Sequence, residues 1–197
     1  MTSGRMEEIS PRFKKPHFAW KLVGLGLWVY YVASEVVLVG EYGPIVGAYQ
    51  GLWICSVSIL LAGAGMILGY PSFVAAGLVS VSTGHFLWTL DTLYMAYGWD
   101  FSSKNTIFGI ADYSTSSGEI VPATVATTSH HLWYMPLCVA YMRACNTPLT
   151  KSHLYCSIAW ICMVSAGTAL IVPLECVNFT LKSGVEICMS LNVNMVR

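Results

Sequence analysis

Charged residues are scarce in this chain of 197 residues: they make up 10% of it, against about 25% in an ordinary soluble domain. Ten basic and ten acidic residues cancel to a formal net charge of zero, so the chain offers no basic surface for nucleic acid. Hydrophobic residues make up 55% and aromatic residues 13%. This composition differs from that of an ordinary soluble protein and indicates an integral membrane protein surrounded by lipid.

Several other sequence signals are absent as well. No internal repeat, low-complexity tract or charged linker divides the chain, which favours a single integral membrane domain over residues 1–197. No CxxC pair occurs among the seven cysteines, so the sequence predicts no metal site and no cofactor. No G-x-S-x-G elbow occurs either, which leaves a hydrolase without a recognisable nucleophile.

Long apolar runs dominate what is present, and each is close to the length of about 20 residues that a transmembrane helix needs. Backbone polar groups inside a bilayer must bond to one another, so these runs are expected to be helices. The predicted fold is therefore all-α, a polytopic transmembrane bundle with spans near residues 18–40, 45–68, 72–98, 121–143 and 152–174.

Basic residues predict the orientation of this bundle. A cluster of Arg and Lys precedes the first span, and Arg143 and Lys151 flank the connection between spans four and five. Cytoplasmic loops carry an excess of such residues, so the N-terminus and this connection are expected on the cytoplasmic side. The loop 99–120 and the C-terminal tail then face the other side.

The tail contains two candidate modification sites. Asn178-Phe179-Thr180 matches the acceptor pattern for N-glycosylation. Cys176 and Cys188 could close a disulfide in an oxidising compartment. Both modifications are hypotheses that the sequence leaves open.

Ionisable residues inside the predicted spans are the first candidates for function. At 1.5 Å per residue, Glu35, Asp91, His130 and His131 all fall roughly 8–15 Å below the exterior surface. An ionised carboxylate within a bilayer costs about 2.5–3.5 kcal/mol, so Asp91 is expected to face the bundle interior or a polar pocket. Two interpretations remain open: a pocket that is open to the exterior, or an Asp–His pair that simply holds helices together.

Four short motifs follow one another in the second half of the chain. They fall on Leu87, Trp88 and Asp91, on Gly109 and Tyr113, on His131, Trp133 and Pro136, and on Asn192 and Asn194. In this order they resemble an uncharacterised family of prokaryotic multi-span membrane proteins with LWxxD, HxWxxP and NxN stretches, over about residues 71–197. Met195 departs from the family's tryptophan, and the Gly-to-Tyr spacing is one residue longer. The resemblance implies a shared fold and points to Asp91 and His131, but it implies no activity.

Three functions are compatible with the sequence, and the first is favoured because a nucleophile is missing. The first is a non-catalytic or accessory component, in contact with membrane lipids and part of a membrane protein complex, with a structural contact between Asp91 and His131. The second is a membrane-embedded lipid hydrolase or acyltransferase with His131 as general base oriented by Asp91. Its substrate would contact Trp88, Trp133, Asn192 and Asn194, and its unsupported nucleophile candidates are Thr127, Ser129 and Cys138. The third is a haem protein with His85 and His131 as axial ligands.

Overall fold

The computed structural model describes residues 16–98, 107–108 and 129–171, and three short strands at 178–180, 186–188 and 195–196. The long described segments are helical, so the all-α prediction is confirmed at that level. We number the helices α1 to α6 and the strands β1 to β3 in chain order.

Helix α1 covers Phe18–Tyr42 and coincides with the first predicted span. The side chain of His17 caps its beginning, since Nδ1 accepts a hydrogen bond from the amide of Ala19 at 3.2 Å. Gly43 ends it with a φ of 83°, a backbone conformation that favours glycine. The apolar run between these two signals therefore forms one uninterrupted helix of 25 residues.

The second predicted span, 45–68, is divided into α2 at Pro44–Gly51 and α3 at Ile54–Leu68. The division occurs where side chains of α1 contact the last residue of α2. The hydroxyl of Tyr31 donates to the carbonyl of Gly51 at 3.3 Å, which satisfies a backbone group at the helix end. The missing side chain of Gly51 also leaves room for the carboxylate of Glu35. One continuous helix over 45–68 is therefore wrong.

Helix α4 covers Pro71–Gly98 and matches the third predicted span. It follows α3 after a tight reversal, in which Gly69 adopts a left-handed φ of 76° and Tyr70 donates its amide to the carbonyl of Gly65 at 2.8 Å. Helices α5 at His130–Ala144 and α6 at Lys151–Ile171 lie within the last two predicted spans, apart from one residue at one end of each. Residues 121–128 of the predicted fourth span lie outside the described residues.

The helices pack in a chain of contacts: α1 against α3, α3 against α4, and α4 against both α5 and α6. The centre of the bundle is apolar and closely packed, and its fully buried members include Ala62, Met66, Val74, Tyr134 and Cys138. Near the C-terminus, β1 at Asn178–Thr180 pairs antiparallel with β2 at Glu186–Cys188, which pairs antiparallel with β3 at Met195–Val196. The sequence analysis did not predict these strands.

Two helices in the described part of the chain are long and apolar enough to cross a membrane by length and composition. They are Phe18–Glu41, with a mean hydropathy of 1.9, and Pro71–Gly98, with a mean hydropathy of 1.4. Helix α3 is apolar but has 15 residues, about 22 Å of helix, against a hydrocarbon layer of about 30 Å. The structure thus supports two candidate spans, and the predicted count of five stays a prediction.

Candidate functional site

Three of the five histidines meet inside the bundle. His85 lies in the middle of α4, and His130 and His131 are the first two residues of α5. The ring centroid of His85 lies 4.4 Å from that of His131 and 5.4 Å from that of His130, while His130 and His131 are 4.2 Å apart. All three side chains are buried. We call these three residues the histidine cluster.

The other two histidines have ordinary structural roles at helix beginnings. His17 caps α1, as described above. Nδ1 of His153 accepts the amide hydrogen of Thr150 at 3.1 Å, next to the first residue of α6. Each of these rings therefore uses a nitrogen to satisfy the backbone, which distinguishes both from the ring of His85.

Neither ring nitrogen of His85 has a hydrogen-bond partner in the described structure, although only 1% of the residue is exposed. Its ring contacts are with the other two histidines and with Tyr134, whose ring centroid lies 5.5 Å away. A buried imidazole normally has its polar atoms paired, because an unpaired buried polar group costs free energy. His85 is thus a polar side chain whose bonding capacity the described helices leave unused.

Aromatic side chains enclose the cluster. Trp88, one turn beyond His85 on α4, stacks on His131 with a centroid distance of 4.7 Å and an angle of 25° between the planes. Tyr30 of α1 meets His130 edge-on at 6.1 Å, and its hydroxyl lies 3.4 Å from His130 Nδ1 and 3.3 Å from the Ser129 hydroxyl. The cluster therefore joins α1, α4 and α5.

Cys55 completes a group that can bind a metal. The residue follows the division between α2 and α3, so it lies in the first turn of α3. Its Sγ atom and one ring nitrogen each from His130 and His131 all lie within 4.8 Å of one another, and the three residues are buried. Thiolate and imidazole are ligands of zinc and of other transition metals.

Asp91 has a different role from that of the histidines. Its Oδ1 accepts hydrogen bonds from the backbone amides of Ile107 at 2.9 Å and Phe108 at 2.8 Å, so the carboxylate binds a segment beyond the end of α4. The residue is fully buried. A carboxylate that accepts backbone amides is well satisfied without a catalytic function. A direct contact between Asp91 and His131 stays a prediction.

The other predicted site residues fall into two groups. Trp88 and His131 are brought together by stacking, and Trp133 meets Tyr30 edge-on at 5.1 Å. Asn192, Asn194 and the nucleophile candidate Thr127 lie outside the described residues. Among the other nucleophile candidates, Ser129 contacts Tyr30, and Cys138 is completely buried in the apolar core.

Glu35 packs against the division between α2 and α3, where its carboxylate lies beside Gly51. Its Oε1 atom is buried, and no partner for it occurs among the described residues. Its position therefore links α1 to the end of α2.

Sequence reasoning missed three members of this site. The sequence suggested His85 only as a haem ligand, gave His130 no specific role, and gave no role to Cys55. Tyr30 and His130 are 100 positions apart in the sequence, and Cys55 is also distant from the two histidines. Only tertiary packing brings these residues together, so no local sequence pattern could indicate the contact. The available signal was modest: a doublet of histidines within an apolar run.

The haem hypothesis is disfavoured by the same distances. Two axial histidines must leave space for a porphyrin plane between their rings. The centroids of His85 and His131 are 4.4 Å apart with 47° between the planes, so the rings contact each other directly. A porphyrin would have to separate α4 from α5.

Comparisons of the chain with protein-family models, with curated proteins and with solved structures gave no match. The resemblance to the prokaryotic multi-span family with LWxxD, HxWxxP and NxN stretches therefore stays a prediction. Function must be inferred from the geometry of the chain itself.

Proposed function

We propose that this chain is a multi-span integral membrane protein with a non-catalytic, structural or accessory role. Its N-terminus and the α5–α6 connection face the cytoplasm, as the basic residues predict. Membrane lipids cover its outer faces, and hydrogen bonds between polar side chains in its interior fix the positions of the helices. The observation that carries this proposal is the distribution of polar and apolar side chains.

Apolar side chains lie on the outside of several helices. On α1, Leu22, Val29 and Val36 are each more than half exposed. Large exposed apolar residues continue on the other long helices, among them Phe86 and Leu93 on α4 and Leu154, Ile158 and Met163 on α6. A monomer in water rarely leaves such continuous apolar surface uncovered, whereas a membrane helix requires it.

Polar side chains, by contrast, lie in the interior and connect helices. The hydroxyl of Tyr134 donates to the carbonyl of Ser58 at 2.8 Å, joining α5 to α3. Ser80 and Ser157 join α4 to α6 through a hydroxyl contact of 2.9 Å. Such interhelical hydrogen bonds stabilise helix packing in a bilayer, where apolar contact alone gives little preference for a partner.

The lipid-hydrolase alternative has less support. A nucleophile must lie within hydrogen-bond reach of its base. Cys138 follows His131 by about two helical turns, roughly 10 Å along α5, and is completely buried in the apolar core. Ser129 directs its hydroxyl toward Tyr30. Asp91 is committed to backbone amides, which fits a positioning role for a loop better than orientation of a base.

Membrane fractionation and site-specific labelling test this proposal. We expect the protein to resist alkaline extraction from membranes and to require detergent for solubility. In a variant without native cysteines, Leu149→Cys, which is exposed in the α5–α6 connection, should react from the cytoplasmic side and Ser102→Cys from the other side. Release by alkali would contradict membrane integration, and labelling of both positions from one side would contradict the topology.

A further inference from the structure

We infer that Cys55, His130 and His131 form a buried zinc site, with His85 as the fourth ligand. The inference does not depend on the membrane topology proposed above, because it concerns only contacts among α3, α4 and α5. Two independent observations support it: the mutual proximity of three ligand atoms, and the unused nitrogens of His85 beside them.

Three of the four proposed ligand atoms lie close together, and the ring of His85 contacts two of the ligand rings. Zinc binds sulfur at about 2.3 Å and imidazole nitrogen at about 2.0–2.1 Å, so its ligand atoms lie roughly 3.3–3.5 Å apart. The three ligand atoms of Cys55, His130 and His131 are already within 4.8 Å of one another. Inward movements of about 1 Å by these side chains would complete the site.

His85 can supply the fourth ligand that a tetrahedral zinc site needs. Its ring contacts those of His130 and His131, and both of its nitrogens are without partners in the described helices. Coordination by one of them would satisfy a buried polar atom that otherwise costs free energy. Four protein ligands close the coordination sphere, as in structural zinc sites, which agrees with a chain that performs no catalysis.

Zinc binding would change the protonation of only one ligand. Cys55 loses its thiol proton to solvent and binds as thiolate, while the three histidines bind as neutral imidazoles. One thiolate and one divalent ion leave a net charge of +1 in the interior, which the coordinated imidazoles disperse. The ion would link α3, α4 and α5 at one point.

Metal titration of the full chain in detergent tests the site. Protein treated with a chelator is titrated with Co²⁺ as a spectroscopic probe and then with Zn²⁺. We expect one equivalent of Co²⁺ to give tetrahedral absorption bands with a thiolate charge-transfer band, and one equivalent of Zn²⁺ to remove them. Cys55→Ser should abolish the charge-transfer band and weaken zinc binding at least about 100-fold, since even outer partners of a metal site contribute about 10–100-fold.

A matched control is Cys145→Ser, because Cys145 is also buried but directly follows α5, at the opposite end from His130 and His131. It should leave both metals bound as in the wild type. His85→Leu should retain the charge-transfer band and weaken zinc binding by at least about 10-fold, because a direct ligand contributes no less than an outer partner. The absence of stoichiometric binding by wild-type protein, or binding that Cys55→Ser does not change, would overturn the inference. Copper rather than zinc in the protein as purified would overturn the choice of metal.

Discussion

Two helix contacts in this bundle, α1 against α3 and α4 against α5, achieve close packing by opposite means. In the first, Gly24 and Gly63 let the backbones approach so closely that an added Cβ at Gly24 would lie 2.7 Å from the carbonyl oxygen of Gly63. In the second, the rings of His85 and His131 fill the space between the helices. The first contact depends on the absence of side chains, and the second on polar side chains with bonding capacity.

This difference indicates which contact can accept a ligand. The contact between α1 and α3 leaves no room for a side chain at Gly24 or Gly63, and the indole of Trp28 reinforces it by donating to the carbonyl of Leu60 at 3.0 Å. The contact between α4 and α5 contains buried nitrogens that no described group satisfies, those of His85. Substitutions of the two glycines at the first contact should therefore act through sterics alone. Changes at the second should depend on what the histidines bind.

The largest effect is expected from breaking the first contact. In Gly63→Ala, the new Cβ would meet the Trp28 ring and lie 2.9 Å from the carbonyl oxygen of Gly24. Overpacking of this kind typically costs about 1–3 kcal/mol, and backbone on one side leaves little scope for adjustment. We expect a lower free energy of unfolding in detergent and a lower yield of monodisperse protein.

Gly26→Ala is the control, because Gly26 lies on α1, the other helix of this contact, and nothing lies within 4 Å of its added Cβ. Alanine favours a helix by about 1 kcal/mol over glycine, so this variant should be neutral or more stable. Equal stability of the Gly63→Ala and Gly26→Ala variants would contradict the close approach of α1 and α3.

A second prediction compares two polar side chains on α4 that form hydrogen bonds, those of Asp91 and Thr92. Asp91→Ala removes the acceptor of the Ile107 and Phe108 amides, and each such hydrogen bond contributes about 0.5–1.5 kcal/mol to stability. Hydrogen exchange at these two amides should become faster, as mass spectrometry can measure. Thr92→Ala should not change it, because the Thr92 hydroxyl donates within its own helix, to the carbonyl of Trp88. Unchanged exchange in Asp91→Ala would contradict this role of the carboxylate.

A third prediction concerns the hydrogen bond beside the histidine cluster. Tyr134→Phe removes the hydroxyl that donates to Ser58 and leaves that carbonyl without this donor. A net loss of about 0.5–1.5 kcal/mol in the free energy of unfolding is expected. Tyr155→Phe serves as control, since Tyr155 is two-thirds exposed, at 67%. Identical thermal denaturation of the two variants would argue that the Tyr134 bond contributes nothing.

The sequence predicted the long helices well and the site only partly. Helices α1 and α4 agree with prediction within a few residues, because apolar runs end at strong local signals such as Gly43 and Pro71. The division near Gly51 could not be predicted, since it lies against Tyr31 and Glu35, which belong to another helix. Local signals therefore mark where these helices begin and end, whereas the division coincides with contacts between helices.

The site was missed for a similar reason. On an ideal helix, His85 and Asp91 are separated by about 120°, so periodicity alone places them on different faces of α4. Both are buried, together with Trp88, because α4 is covered by α3, α5 and α6 on several sides. A helix at the centre of a bundle has no single interior face, so periodicity cannot select its functional residues.

The smallest effect is expected from His85→Leu in protein treated with a chelator. Replacing an imidazole whose nitrogens have no described partner by an apolar side chain removes a buried polar group without breaking a hydrogen bond. The free energy of unfolding should therefore change by less than about 1 kcal/mol, or increase. The control is His153→Leu, which removes a buried histidine that does form a hydrogen bond: its Nδ1 accepts the amide hydrogen of Thr150 at 3.1 Å. That variant should lose about 1 kcal/mol. With zinc added, the wild type should become more stable than His85→Leu. The bound ion stabilises the wild type by mass action and stabilises His85→Leu less. If His85→Leu destabilises the zinc-free protein as much as His153→Leu does, then the nitrogens of His85 are already bonded, and the two helix contacts differ less than their geometry indicates.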